Sequence, residues 1–189
     1  MYHDFLLGRE LFERLLGIDR LTAMEIQAVG CGCGGRLDRA SYRRKVRGLP
    51  KGLGGEHEIR ESFCCCKEGC RRRATPVSVR FLGRRVYVSV AVVIGAAAEG
   101  GVTKGRVELL GDLMRCPLDR RTVERWVAWW REMLPRTRFW QGIRRRLRTP
   151  VDPERMPLSL LEAFEGKDPQ EGLIGLLRLL SPISIGHAQ

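Results

Sequence analysis

The chain has 189 residues and a mass of 21.5 kDa, 43% apolar and 30% charged, which suits one ordinary folded domain or two small modules and excludes a disordered polymer. Its longest apolar run, Val86 to Ala98, falls short of the roughly 20 residues that cross a bilayer. The acids Asp4, Glu10 and Glu13 do not fit the start of a signal peptide, so membrane and secreted roles are disfavoured. The net charge is +12, and it is concentrated: residues 36–85 hold fifteen Lys or Arg against five acids, and residues 115–148 eleven against three. Such blocks attract polyanions.

In chain order, residues 1–29 form an N-terminal unit, with an amphipathic helix expected over 4–28. Its apolar face is Phe5, Leu7, Leu11, Phe12, Leu15, Leu16, Leu21 and Met24, and Gly17 is a point of possible interruption. This helix either packs on the domain C-terminal to it or docks a partner. Residues 30–82 change character, with bursts of Gly and Cys and short β-prone pieces at Ser41–Val46, Ile59–Cys64 and Pro76–Phe81, around a loop at Gly48–Gly55. A β module with so few apolar residues needs a staple. Residues 83–148 read as helical: one helix over 84–99, a second over Thr103–Met114 with Thr103 as cap, and a third over Arg120–Leu134 with Asp119 as cap and Pro135 as stop. The tail, 149–189, has room for helices at Leu158–Phe164 and Gln170–Leu180.

The cysteines supply the staple. Six of seven fall into two groups, Cys31 and Cys33, then Cys64, Cys65, Cys66 and Cys70. Two thiol pairs on glycine-bearing turns, joined by a β-rich insert, are the pattern of a tetrahedral ribbon-type zinc site. The spacing favours Cys31, Cys33, Cys66 and Cys70 as ligands, with Cys65 as the alternative and Cys64 behind it. An iron–sulfur cluster or a redox-sensing thiol group are competing readings; disulfides fit poorly without an export signal. Four thiolates leave no open position, so the Zn2+ would be structural. It would frame a basic surface of Arg43, Arg44, Lys45, Arg71, Arg72 and Arg73. Cys116 is expected to be a buried small residue.

The second and third helices, joined by a short turn, have helix-turn-helix form. With Val123, Trp126, Val127, Trp130 and Leu134 inward, Arg120, Arg121 and Arg125 lie on the outer face, where a recognition helix meets guanine edges. Trp129 is expected to be covered by Phe139 and Trp140.

The order of Cys-rich ribbon, basic hairpin, apolar helix and the segments Glu108-Leu109-Leu110-Gly111 and Arg120-Arg121-Thr122-Val123-Glu124-Arg125-Trp126 resembles the zinc-ribbon plus helix-turn-helix DNA-binding region of bacterial insertion-sequence transposases. Cys33-Gly34-Gly35-Arg36-Leu37, residues 69–76 and residues 78–87 also resemble small mobile-element proteins, and the likeness covers about residues 5–150. It implies thiol ligands and a DNA-reading third helix. The C-x-C pair departs from the usual C-x₂-C. No catalytic core is implied: only about 40 residues lie beyond the helices, and His3, His57 and His187 are isolated. There is no P-loop, dinucleotide fingerprint or hydrolase elbow.

The resulting expectation is an α+β protein, a small β zinc ribbon flanked by an N-terminal helix and a C-terminal helical helix-turn-helix region. It is expected to be non-enzymatic, cytoplasmic and nucleoid-associated, and to bind double-stranded DNA. Another mobile-element protein or self-association would be a further partner. A protein-interaction adaptor is the alternative function, and RNA the alternative polymer.

Overall fold

The computed structural model describes residues 8–44, 49, 52–81, 92, 95–96, 100–113, 117–164, 166 and 168–185, and its architecture is α+β. Helix α1 spans Arg9–Val29 and stops at Gly30, whose φ of 77° is left-handed. Short strands come next: β1 (Leu37–Arg39), β2 (Tyr42–Arg43), β3 (Ile59–Arg60), β4 (Phe63–Cys65) and β5 (Arg73–Ala74). They form two antiparallel sheets, one ordered β1-β4-β5 and one pairing β2 with β3. The register sets Leu37 opposite Cys65, Cys64 opposite Arg73 and Tyr42 opposite Arg60. Of the expected β pieces, Ile59–Cys64 divides into β3 and β4, and Pro76–Phe81 makes no regular strand. Strands of two or three residues do not hold together by themselves.

The helical part comprises α2 (Lys104–Leu113), α3 (Arg120–Ala128), α4 (Arg138–Ile143), α5 (Leu158–Glu162) and α6 (Pro169–Leu180). Caps placed from sequence are where expected. Asp119 Oδ1 accepts from Arg121 N at 3.0 Å, and Thr103 Oγ1 accepts from Arg106 N at 3.4 Å. The third helix does not stay regular to Leu134. After Ala128 it widens into a π turn over Trp129–Met133, with Leu134 N–H donating to Trp129 O five residues back, and then tightens into a 3₁₀ turn over Leu134–Arg136. Of the expected 84–99 helix, only Val92, Gly95 and Ala96 are described, all helical. Among the described residues no helix is long and apolar enough to cross a membrane.

Among the described residues three apolar clusters are found, and α1 contributes to each. Leu11 and Leu15 join the largest, with Trp130, Leu134, Trp140, Met156, Leu160 and the inner face of α6. Trp129 and Phe139 are partly buried and pack at its edge, with the Trp129 ring edge-on to that of Trp130. Phe12 joins Phe81, Val107, Leu110 and Val123, which packs α2 against α3. Ala23 joins Leu37, Phe63 and Cys65 of the sheet. Gly17 does not break the helix.

The inward face of α1 differs from expectation in its second half. Leu21 and Met24 are 62% and 65% exposed, whereas Asp19 is buried. The reason is a partner distant in sequence. Asp19 Oδ2 lies 2.7 Å from Arg80 Nε, Oδ1 accepts from Val79 N at 2.8 Å, and Ser78 Oγ also donates to the carboxylate. Arg80 donates further to the carbonyls of His57 at 3.2 Å and Ile59 at 2.8 Å. A buried ion pair is tolerated only when its remaining donors and acceptors are satisfied, and this one ties α1, the 55–60 segment and residues 78–81 into one unit.

Candidate metal centre and basic surface

Two tight loops carry the cysteines. In the first, Cys31 N–H donates to Gly35 O at 2.9 Å and Gly34 N–H to Cys31 O at 2.7 Å, with Gly34 at φ 79°. Gly35 has no substitute. A Cβ there would lie 2.6 Å from Cys65 Sγ and 3.1 Å from Lys67 Cβ, so the backbone passes against the sulfurs. In the second loop, Cys70 N–H donates to Lys67 O at 3.1 Å, and Gly69 takes φ 81°. The loop stands on the β4–β5 hairpin, closed by Cys65 N–H to Arg72 O at 2.9 Å. Cys66 N–H donates to Arg36 O at 2.9 Å and joins the two loops.

The loops share one device. The N–H two residues beyond a cysteine is turned toward its sulfur: Lys67 N–H donates to Cys65 at 3.4 Å, and the Gly35 N–H acts on Cys33. Such bonds stabilise thiolates.

The sulfurs of Cys31, Cys33, Cys65 and Cys70 all lie within 4.8 Å of one another. Cys31 and Cys70 are 3.8 Å apart and Cys33 and Cys65 3.5 Å, far longer than a disulfide and with all four thiols free. A tetrahedral zinc ion with Zn–S bonds of about 2.3 Å sets sulfur–sulfur edges of about 3.8 Å. The four side chains therefore fit a metal ion.

Of the five proposed ligands, the structure brings together four and leaves out Cys66. The sequence preference for Cys66 over Cys65 is corrected by strand alternation. Phe63 and Cys65 are buried on the inner side of β4, while Cys64 turns outward, its thiol 3.4 Å from Arg71 O. Cys66 lies beyond the strand and is exposed.

The thiols are not equivalent. Cys33 is drawn down to about 6, chiefly by the Gly35 N–H and then by hydrogen bonds with Cys70, Cys65 and Cys31. For Cys65 the Lys67 N–H acts in the same direction, but burial and hydrogen bonds with Cys33, Cys31 and Cys70 outweigh it and push the thiol up to about 12. A bound cation would take the sulfurs as thiolates and displace the protons they carry.

Two of the arginines of this module, Arg44 and Arg73, meet at a ring that sequence reasoning missed. Arg44 sits 4.8 Å from the Tyr42 ring centroid and donates to its hydroxyl at 2.9 Å, and Arg73 lies 5.8 Å from the same ring. Cation–π contact thus joins β2 to β5. Arg43, Arg71, Arg72 and Arg73 are exposed; Arg44 is half-buried. Lys45 and Cys116 lie outside the described residues. The signal for Tyr42 was available: an aromatic between arginines, on a strand whose neighbours were unknown.

On α3, Arg120, Arg121 and Arg125 are all exposed, while Val123 and Trp130 are buried. Arg120 is engaged by Glu124 at 2.7 Å, and Arg125 donates to Thr122 Oγ1 at 3.2 Å. Four acids of the tail have structural duties: Asp152 caps the 3₁₀ turn Pro153–Arg155, Asp168 caps α6, and Glu162 and Glu171 pair with Arg155 and Arg14. Comparison with protein-family models, with curated proteins and with solved structures finds no match, so function has to be read from these residues themselves.

Proposed function

We propose that this chain is a non-catalytic, zinc-stabilised protein that binds double-stranded DNA, an accessory or regulatory component of a mobile element as the resemblance of its sequence implies. The observation that carries the reading is the group of four sulfurs within 4.8 Å of one another, on two loops of which the second stands on a hairpin that continues into Arg71, Arg72 and Arg73. Zinc with four thiolates is saturated and builds structure. It would hold the loops so that the arginines around Tyr42 meet phosphates, while Arg121 and Arg125 on the outer side of α3 read base edges.

The test is binding of the zinc-loaded chain to duplex DNA over a salt series. Affinity is expected to fall steeply with salt, and Arg125→Ala to lose about 1–3 kcal/mol of discrimination at one base pair. Absence of duplex binding at low ionic strength contradicts the reading.

One observation favours an interaction adaptor instead: Leu21, Met24 and Val29 are exposed along the second half of α1. That reading requires a protein complex indifferent to salt and lost on substitution of those three residues, with DNA binding unaltered.

A further inference from the structure

Residues 136–148 contain six arginines, Arg136, Arg138, Arg144, Arg145, Arg146 and Arg148, and no acid. All six are exposed. Among the described residues none of them takes part in an ion pair. The apolar side chains of the same segment face the other way. Trp140 is part of the largest core cluster, and Phe139, Ile143 and Leu147 pack against it.

The segment is also built to keep that orientation. Thr137 caps α4, accepting from Trp140 N at 3.1 Å, and Gln141 Nε2 donates to Pro135 O at 2.8 Å. Beyond α4 this strap turns once as a 3₁₀ helix over Arg144–Arg146.

Six cations held in thirteen residues, with no carboxylate partner among the described residues, repel one another and keep a cloud of counter-anions. A polyanion that replaces that cloud binds with a gain from released ions. An anionic membrane is the poorer fit, because interfacial helices also insert apolar side chains, and those of the strap are turned into the core. Arg offers the planar fork that takes phosphate oxygens two at a time.

We propose that residues 136–148 form a sequence-independent phosphate grip for duplex nucleic acid, anchored on the helical core and separate from the metal module. The proposal rests on the DNA-binding reading above and adds where most of the salt-dependent affinity resides.

The experiment compares the full zinc-loaded chain with a variant carrying Arg144→Gln, Arg145→Gln, Arg146→Gln and Arg148→Gln, using a short duplex of random sequence over a KCl series. Matching far-ultraviolet spectra confirm that the fold is kept. Each lost phosphate contact lowers the slope of log affinity against log salt by about 0.9, so the fourfold variant should lose up to about 3.6. The same four positions changed to Lys should retain most of the slope. A Gln variant whose slope stays within about one of the native value overturns the strap while leaving the DNA-binding reading standing. A native chain that ignores duplex DNA at low salt overturns both. Tighter binding to vesicles containing phosphatidylglycerol, or to single-stranded RNA, than to the duplex overturns the assignment of the partner.

Discussion

The sulfur-bearing module and the helical half of the molecule are stabilised in different ways. The module has four buried core residues, Ala23, Leu37, Phe63 and Cys65, and one of them is borrowed from α1. Its strands are two or three residues long. The helical half buries two tryptophans and the leucines of three helices in a single cluster. The helical half buries much apolar surface, and the sulfur-bearing module, with little of it, is where the proposed metal would act as a cross-link through its cysteines. The two meet along α1, where the Asp19–Arg80 pair is buried.

The largest effect should come from cutting the cross-link. Cys65→Ser removes the buried ligand, and hydrogen exchange over residues 31–74 should lose its protection while α5 and α6 keep theirs; structural zinc is worth about 10–16 kcal/mol in small zinc modules. Cys66→Ser should leave protection and metal content unchanged, because Cys66 stands outside the sulfur group. Equal damage from both substitutions would erase the distinction drawn between them.

A smaller effect is expected at the seam. Asp19→Ala leaves Arg80 buried with no carboxylate, which costs about 3–5 kcal/mol and should lower the melting midpoint of both regions together. A loss confined to one region would show that the pair does not couple them.

The smallest effect is set by pH. Burial foremost, then Arg80, holds the His57 imidazole below its ordinary value of 6.5. The unfolded chain therefore binds a proton that the folded chain resists. Stability from this group is complete above about pH 6.5 and declines as pH falls toward the folded value. Relative to His57→Asn, the native chain should lose more stability between pH 7 and pH 5. The comparison cancels the protonation of the thiols, which both chains share.

How far each region was legible tracks the same division. The helical half announced itself through local signals: Asp119 and Thr103 as caps, and the 3.6-residue spacing of Val123, Trp130 and Leu134. The π turn over Trp129–Met133 was not legible, since the spacing of Val123, Trp130 and Leu134 fits a regular helix equally well. In the module the clustering of cysteines was plain, yet the choice between Cys65 and Cys66 required the phase of β4, and a slip of one residue turns every side chain to the other face. Leu21 and Met24 were assigned to the core because helical spacing is blind to Asp19 finding Arg80 sixty-one residues away. Tyr42 gained its meaning only when β5 brought Arg73 to the ring already bonded to Arg44.

The four sulfurs are the centre on which the rest depends. Metal analysis of the purified chain, read against Cys65→Ser, tests them most directly. One zinc per native chain and none in the variant is the predicted result. An iron–sulfur chromophore, or full zinc occupancy persisting without the Cys65 sulfur, would contradict it.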